Sequence, residues 1–164
     1  MKISSFIETF VDYKNQGILI GFPTCSGKCW KELGMDTSIC QNEVLKNEVI
    51  EISLENLCKK IEDYIKSGFA KAVILAGLEP FEDTENVLSI ISFIQKVSSD
   101  TDIVIYTGFN EDEITKEIGK IKAIAKNKII IKFGRFIPND NSVYDAVLGI
   151  TLASKNQYAK QINP

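Results

Sequence analysis

Four short apolar runs, spaced by amphipathic stretches, limit what this chain can fold into. They are Ile18–Phe22, Ala72–Ala76, Asp102–Tyr106 and Lys128–Phe133. Each is too short for a helix and apolar almost throughout, as a strand buried on both faces is. Pro23 ends the first run and Gly77 the second. Helical patterns lie between them. Ser53 can cap a helix over Leu54–Ser67, with Gly68 as its stop. Thr84 can cap a second helix, whose apolar positions are Val87, Leu88, Ile91, Ile94 and Val97. Asn110 and Glu113 form a capping box for a third, reaching Ala125. Ala146–Thr151 is a candidate last strand.

Strands alternating with helices predict an α/β fold. Two forms fit: a partial (β/α) barrel, or an open, twisted, mostly parallel sheet with covering helices. Crossovers should be right-handed, and about five strands are too few for a closed eight-stranded barrel. No repeat or Pro/Gly/Ser-rich linker divides the sequence, and 164 residues suit one domain, taken as 1–164.

Composition removes several function classes. Nineteen Lys and Arg against 22 Asp and Glu leave a net charge of −3, which argues against a nucleic-acid surface. No apolar run approaches the length of about 18 residues that a membrane span needs. Glu8 and Asp12 break any signal-peptide pattern, so a cytoplasmic location is expected. The chain has no His, which excludes Ser-His-Asp and Cys-His catalysis and any zinc site using imidazole. A metal here must rely on Cys, Asp and Glu.

Three of the four cysteines, Cys25, Cys29 and Cys40, fall within sixteen residues. In a cytosolic chain such clustering indicates metal binding or catalysis rather than disulfides. Three thiolates plus one open position fit a catalytic zinc or an iron–sulfur cluster with one free iron. Cys58 differs, because it continues the apolar stripe of Leu54, Leu57, Ile61 and Ile65 and is expected in the core. In parallel sheets, ligands bind beyond the C-terminal ends of the strands. The cysteine loop follows the first strand. Gly77-Leu78-Glu79-Pro80, Thr107-Gly108-Phe109-Asn110 and Gly134-Arg135-Phe136 follow the next three. Thiolates, a carboxylate and several glycines therefore face one space.

The ordered set of loops resembles the small radical S-adenosylmethionine (SAM) activating proteins, above all those of anaerobic ribonucleotide reductase. That family carries a Cys-x3-Cys-x2-Cys loop after its first strand. Val11-Asp12-Tyr13 precedes the strand here, and Cys25-Ser26-Gly27-Lys28-Cys29 matches the first half of the motif. Glu32 stands where the third Cys is expected, and Cys40-Gln41-Asn42 matches the far side after an insertion of about eight residues. Ala76-Gly77-Leu78-Glu79-Pro80 is similar to the family's Gly-Gly-Glu-Pro loop, with Leu78 for the second Gly. Tyr106-Thr107-Gly108-Phe109, Phe133-Gly134-Arg135-Phe136 and Ala153-Ser154-Lys155-Asn156-Gln157 continue the series, with Lys132-Phe133 where an Asp is usual.

The resemblance implies a [4Fe-4S] cluster on Cys25, Cys29 and Cys40, with its fourth iron open to SAM. It implies that Glu79 accepts a hydrogen bond from the SAM ammonium and that Gly77 allows close backbone approach. Tyr106 and Thr107 would line the adenosine side. The implied partners are a glycyl-radical enzyme, such as anaerobic ribonucleotide reductase, and an electron donor such as flavodoxin or ferredoxin. The altered cysteine spacing and Leu78 also fit two alternatives. One is a degenerate relative that binds an iron–sulfur cluster or zinc in a regulatory or assembly role. The other is a radical SAM enzyme acting on a different substrate.

Overall fold

The four apolar runs become the parallel centre of one sheet. The structure is a computed structural model and describes residues 1–47 and 49–163. Its strands are β1 (Lys2–Ile3), β2 (Ser5–Thr9), β3 (Gly17–Phe22), β4 (Ile50–Glu51), β5 (Ala72–Gly77), β6 (Asp102–Tyr106), β7 (Ile129–Phe133), β8 (Val143–Asp145), β9 (Ile150–Leu152) and β10 (Tyr158–Gln161). Its α-helices are α1 (Lys28–Glu32), α2 (Leu54–Lys66), α3 (Thr84–Val97) and α4 (Thr115–Ile124).

Six strands form the main sheet, in the order β10-β7-β6-β5-β3-β2. Neighbours among β3, β5, β6 and β7 run parallel, and β2 and β10 add antiparallel edges. The two edges do not pair with each other, so the sheet stays open. The fold is the expected mixed α/β, and no closed barrel forms.

Alternation along the strands sorts side chains onto two faces. On one, Ile18, Ile20, Phe22, Val73, Leu75, Ile103, Ile105, Ile129, Ile131 and Phe133 pack with apolar residues of the helices, among them Leu57, Ile61, Ile91 and Ile118. Cys58 is buried on α2, as its stripe requires. The other face carries Ala72, Ile74, Ala76, Val104 and Ile130, and among the described residues no helix covers it. Tyr13 and the hairpin residues Leu148 and Leu152 lie there instead. The expectation of helices as the sheet's general cover therefore holds on one face only. After β7 the chain forms a hairpin and an antiparallel strand rather than another helix. Asp145 fixes this arrangement, accepting hydrogen bonds from the Val147 and Leu148 amides at 2.9 Å and from the Ala159 amide at 2.8 Å.

Some boundaries differ from the sequence pattern. Ala146–Thr151 is not one strand. Its first half is the turn of the β8–β9 hairpin, where Leu148 is buried and Gly149 has φ +75°. Thr84 is the first residue of α3 rather than its cap, and its hydroxyl donates to the Phe81 carbonyl at 2.8 Å. The Asn110–Glu113 capping box is present, but it opens a 3-10 turn, Glu111–Ile114, that runs into α4. The edge strands β2 and β10 were not expected, because half-exposed edges need no apolar run. No helix among the described residues is long and apolar enough to cross a membrane.

Gly17 marks the closest approach of β3 to β5. A Cβ there would lie 2.2 Å from the Ala72 carbonyl oxygen. Gly17→Ala is expected to destabilise the fold by about 1–3 kcal/mol, the range for overpacking. A urea titration should show a lower midpoint with an unchanged slope.

Candidate functional site

The parallel register brings the ends of β3, β5, β6 and β7 to one edge. Phe22 pairs with Gly77, and Tyr106 with Lys132. Pairing continues past the strands: the Leu78 amide donates to the Phe22 carbonyl and the Glu79 amide to the Thr24 carbonyl, both at 2.9 Å. Glu79 is thereby held alongside the segment that enters the cysteine loop. Gly77 is needed for this turn. Its φ is +91°, and a Cβ would fall 2.6 Å from the Phe22 nitrogen. Leu78 does not need the left-handed region that favours glycine, since Asn139 is the only non-glycine of positive φ among the described residues.

Glu79 is 3% exposed, and its carboxylate takes three donors. The Phe81 amide binds Oε1 at 3.1 Å and the Gly108 amide binds Oε2 at 2.9 Å. The Thr107 hydroxyl lies 2.8 and 2.9 Å from the two oxygens. Three donors leave about one of the four acceptor positions of a carboxylate free. Burial pushes the Glu79 carboxyl up to about 7, against these hydrogen bonds and with help from the nearby charge of Glu82.

Cys25 is half-buried, and its sulfur accepts the Gly27 amide at 3.2 Å. Burial pushes its thiol up to about 11, and the charges of Glu79, Glu82 and Cys29 act in the same direction. Gly27 has φ +75°, and a Cβ there would strike the Trp30 indole at 2.4 Å, so the indole lies directly over the loop. Cys29 is the second residue of α1. A Cβ on Gly108 would sit 3.2 Å from its sulfur and 3.7 Å from Glu79 Oε2. Gly108 thus keeps open the space between that thiol and the carboxylate.

Cys40 follows a 3-10 turn, Thr37–Ile39, capped by Asp36. Two residues on, Asn42 donates its side-chain amide to the Gly77 carbonyl at 2.7 Å, tying the Cys40 segment to the same loop edge. Among the described residues, no three Cys, Asp or Glu side chains converge as a metal site. Glu79 and Thr107 are brought together, with Gly77 beside them. Tyr106 packs on the helix-free face, where its hydroxyl donates to the Asp12 carbonyl at 2.6 Å.

Two features of this edge went unread in the sequence. Arg135, the one arginine, grips both Glu32, through Nε at 3.0 Å and Nη2 at 2.7 Å, and Glu113, through Nη1 at 2.6 Å and Nη2 at 2.8 Å. It holds the carboxyls of both below their ordinary range. Glu32, at the position expected for a third Cys, is thus a clasp from α1 to the loop after β7. A lone Arg in a Lys-rich chain was the available signal, since only Arg offers a planar fork to two carboxylates. The second feature is Lys132, buried at 7% exposure with Nζ donating to the Gly134 carbonyl at 3.1 Å.

The open α/β sheet thus presents the Cys25 and Cys29 thiols and the Glu79 carboxylate beyond the C-terminal ends of its parallel strands. Residues 25–157, from the first of these cysteines to Gln157, match the family described as a 4Fe-4S single cluster domain, and the chain belongs to that family. It has no match among curated proteins and none among solved structures. The donors present fit such a cluster. They include three cysteines outside any disulfide, an amide donor to one sulfur, and the Gly108 gap beside another.

Glu79 makes stability depend on pH in the cluster-free protein. The unfolded glutamate loses its proton near 4.5 and the folded one near 7. Between these values the unfolded chain binds fewer protons, so stability falls as pH rises, by about 3 kcal/mol in all. Denaturant titrations at pH 4.5 and 7.5 should show this loss, and Glu79→Gln should remove it.

Proposed function

We propose that this chain is a radical SAM activase that installs a glycyl radical on a partner enzyme. The supporting observation is the Glu79 loop. A buried carboxylate with one acceptor position to spare shares an edge with the thiols of Cys25 and Cys29. Cys25, Cys29 and Cys40 would hold three irons. When bound, the cluster supplies the electron for reductive cleavage of SAM.

The chain's own residues then do four things. Glu79 accepts the substrate ammonium at its remaining position, a charge-assisted bond that favours the ionised carboxylate. Gly77 and Gly108 let ligand and backbone approach. Thr107 orients Glu79 through its hydroxyl, so its role is positioning rather than contact with adenosine. Tyr106 would bound the adenosine side from the helix-free face. The partner is a glycyl-radical enzyme of the anaerobic ribonucleotide reductase kind, with flavodoxin or ferredoxin as electron donor.

One observation favours a second reading, a cluster-binding chain that does not cleave SAM and serves a regulatory or assembly role. Cys40 is not gathered with Cys25 and Cys29 into one ligand set.

Anaerobic reconstitution with iron and sulfide, followed by reduction and electron paramagnetic resonance, separates the two. A [4Fe-4S]⁺ signal that changes on adding SAM supports the activase, and a signal indifferent to SAM supports the second reading. Cys25→Ala, Cys29→Ala and Cys40→Ala should each lose the intact cluster, whereas Cys58→Ala should keep it. A full cluster in Cys40→Ala would overturn the ligand set.

A further inference from the structure

Lys132 is the buried charge that the reading above leaves unused. It lies at the C-terminal end of β7, opposite Tyr106 across the ladder, and alternation puts it on the helix-free face with Ile130. Tyr106 flanks it on the β6 side and Ala159 on the β10 side. Just beyond Tyr106, the Thr107 amide donates to the Lys132 carbonyl at 2.9 Å.

Its bonding is incomplete. An ammonium has three N–H donors, and among the described residues Nζ has one acceptor, the Gly134 carbonyl. No carboxylate pairs with it among those residues. The charges that act on it are those of Cys29 and Glu79. Burial lowers it to about 8, which leaves it mostly charged at neutral pH. A buried cation is costly unless an anion compensates it, and the strand paired with its own leads within two residues to Gly108, where a Cβ would lie 3.2 Å from Cys29 Sγ.

We infer that Lys132 is the counter-cation of the iron–sulfur cluster and raises its reduction potential. A [4Fe-4S]²⁺ core on three thiolates carries one net negative charge, and the one-electron reduced form carries two. A fixed positive charge nearby stabilises the reduced form more, and low-dielectric surroundings enlarge the difference. Lys132 acts through the field and touches no reacting atom, so it is a positioning residue of electrostatic kind. The inference rests on Cys29 being a ligand of the cluster.

The test compares the midpoint potentials of reconstituted wild-type protein, Lys132→Met and Lys132→Arg. Potentials come from redox titration followed by electron paramagnetic resonance, alongside iron and sulfide content. Lys132→Met should hold a full cluster whose reduction equilibrium is about tenfold less favourable, which is about 59 mV for one electron. Lys132→Arg, which keeps the charge, should return most of the shift. A full cluster with wild-type potential in Lys132→Met would overturn the inference. So would loss of the cluster in Lys132→Met alone, which would make Lys132 an assembly residue. Failure of the wild-type protein to take up any cluster would instead overturn the reading on which the inference rests.

Discussion

Glu79 sits between the ends of β5 and β6, and its two oxygens gather donors from Phe81, Thr107 and Gly108. Parallel strands deliver their loops to a common edge but do not join them, because each loop leaves for a different crossover. Here the carboxylate supplies the joint. With Glu79 held, Gly108 is held, and with Gly108 the gap beside Cys29. The cost is a carboxyl taken out of water, visible in its affinity for a proton near neutrality. A cationic ligand group would relieve that cost, so one residue links loop architecture to ligand preference.

Arg135 is the outer counterpart of this joint. Its guanidinium is largely buried and binds two carboxylates, Glu32 on α1 and Glu113 in the turn before α4. A fifth hydrogen bond runs to the Gly108 carbonyl. The helix that carries Cys29 is therefore fastened from one side through Arg135, while the segment that carries Cys40 is fastened through Asn42 to Gly77. The segment between Cys29 and Cys40 lies between these two attachments. Glu32, bound by Arg135, helps keep α1 in position.

Charge at the edge is arranged in a definite order. The charges of Glu79 and Glu82 help to raise the Cys25 thiol, whereas Lys132 lies buried at the end of β7 on the same edge. Metal loading displaces thiol protons, so a thiol held near 11 couples cluster uptake to pH.

The sequence by itself determined the central sheet, because runs such as Ala72–Ala76 are too apolar to lie anywhere but between two covered faces. It determined the helix starts at Ser53 and Asn110, where local capping chemistry suffices. It also put Cys25, Gly77, Glu79 and Thr107 on one edge, since parallel topology leaves no other place for loops after strands. Only the tertiary structure decided what covers the second face, because a hairpin turned by Gly149 and plugged by Leu148 reads locally as another strand. It alone decided that Tyr106 turns from the Glu79 pocket while Thr107 enters it, an effect of strand alternation. Tertiary structure also paired Arg135 with Glu32 across 103 positions and buried Lys132 at the loop edge. Such long-range pairings depend on how finished strands and loops meet, and a side chain carries no local record of the partner it will find.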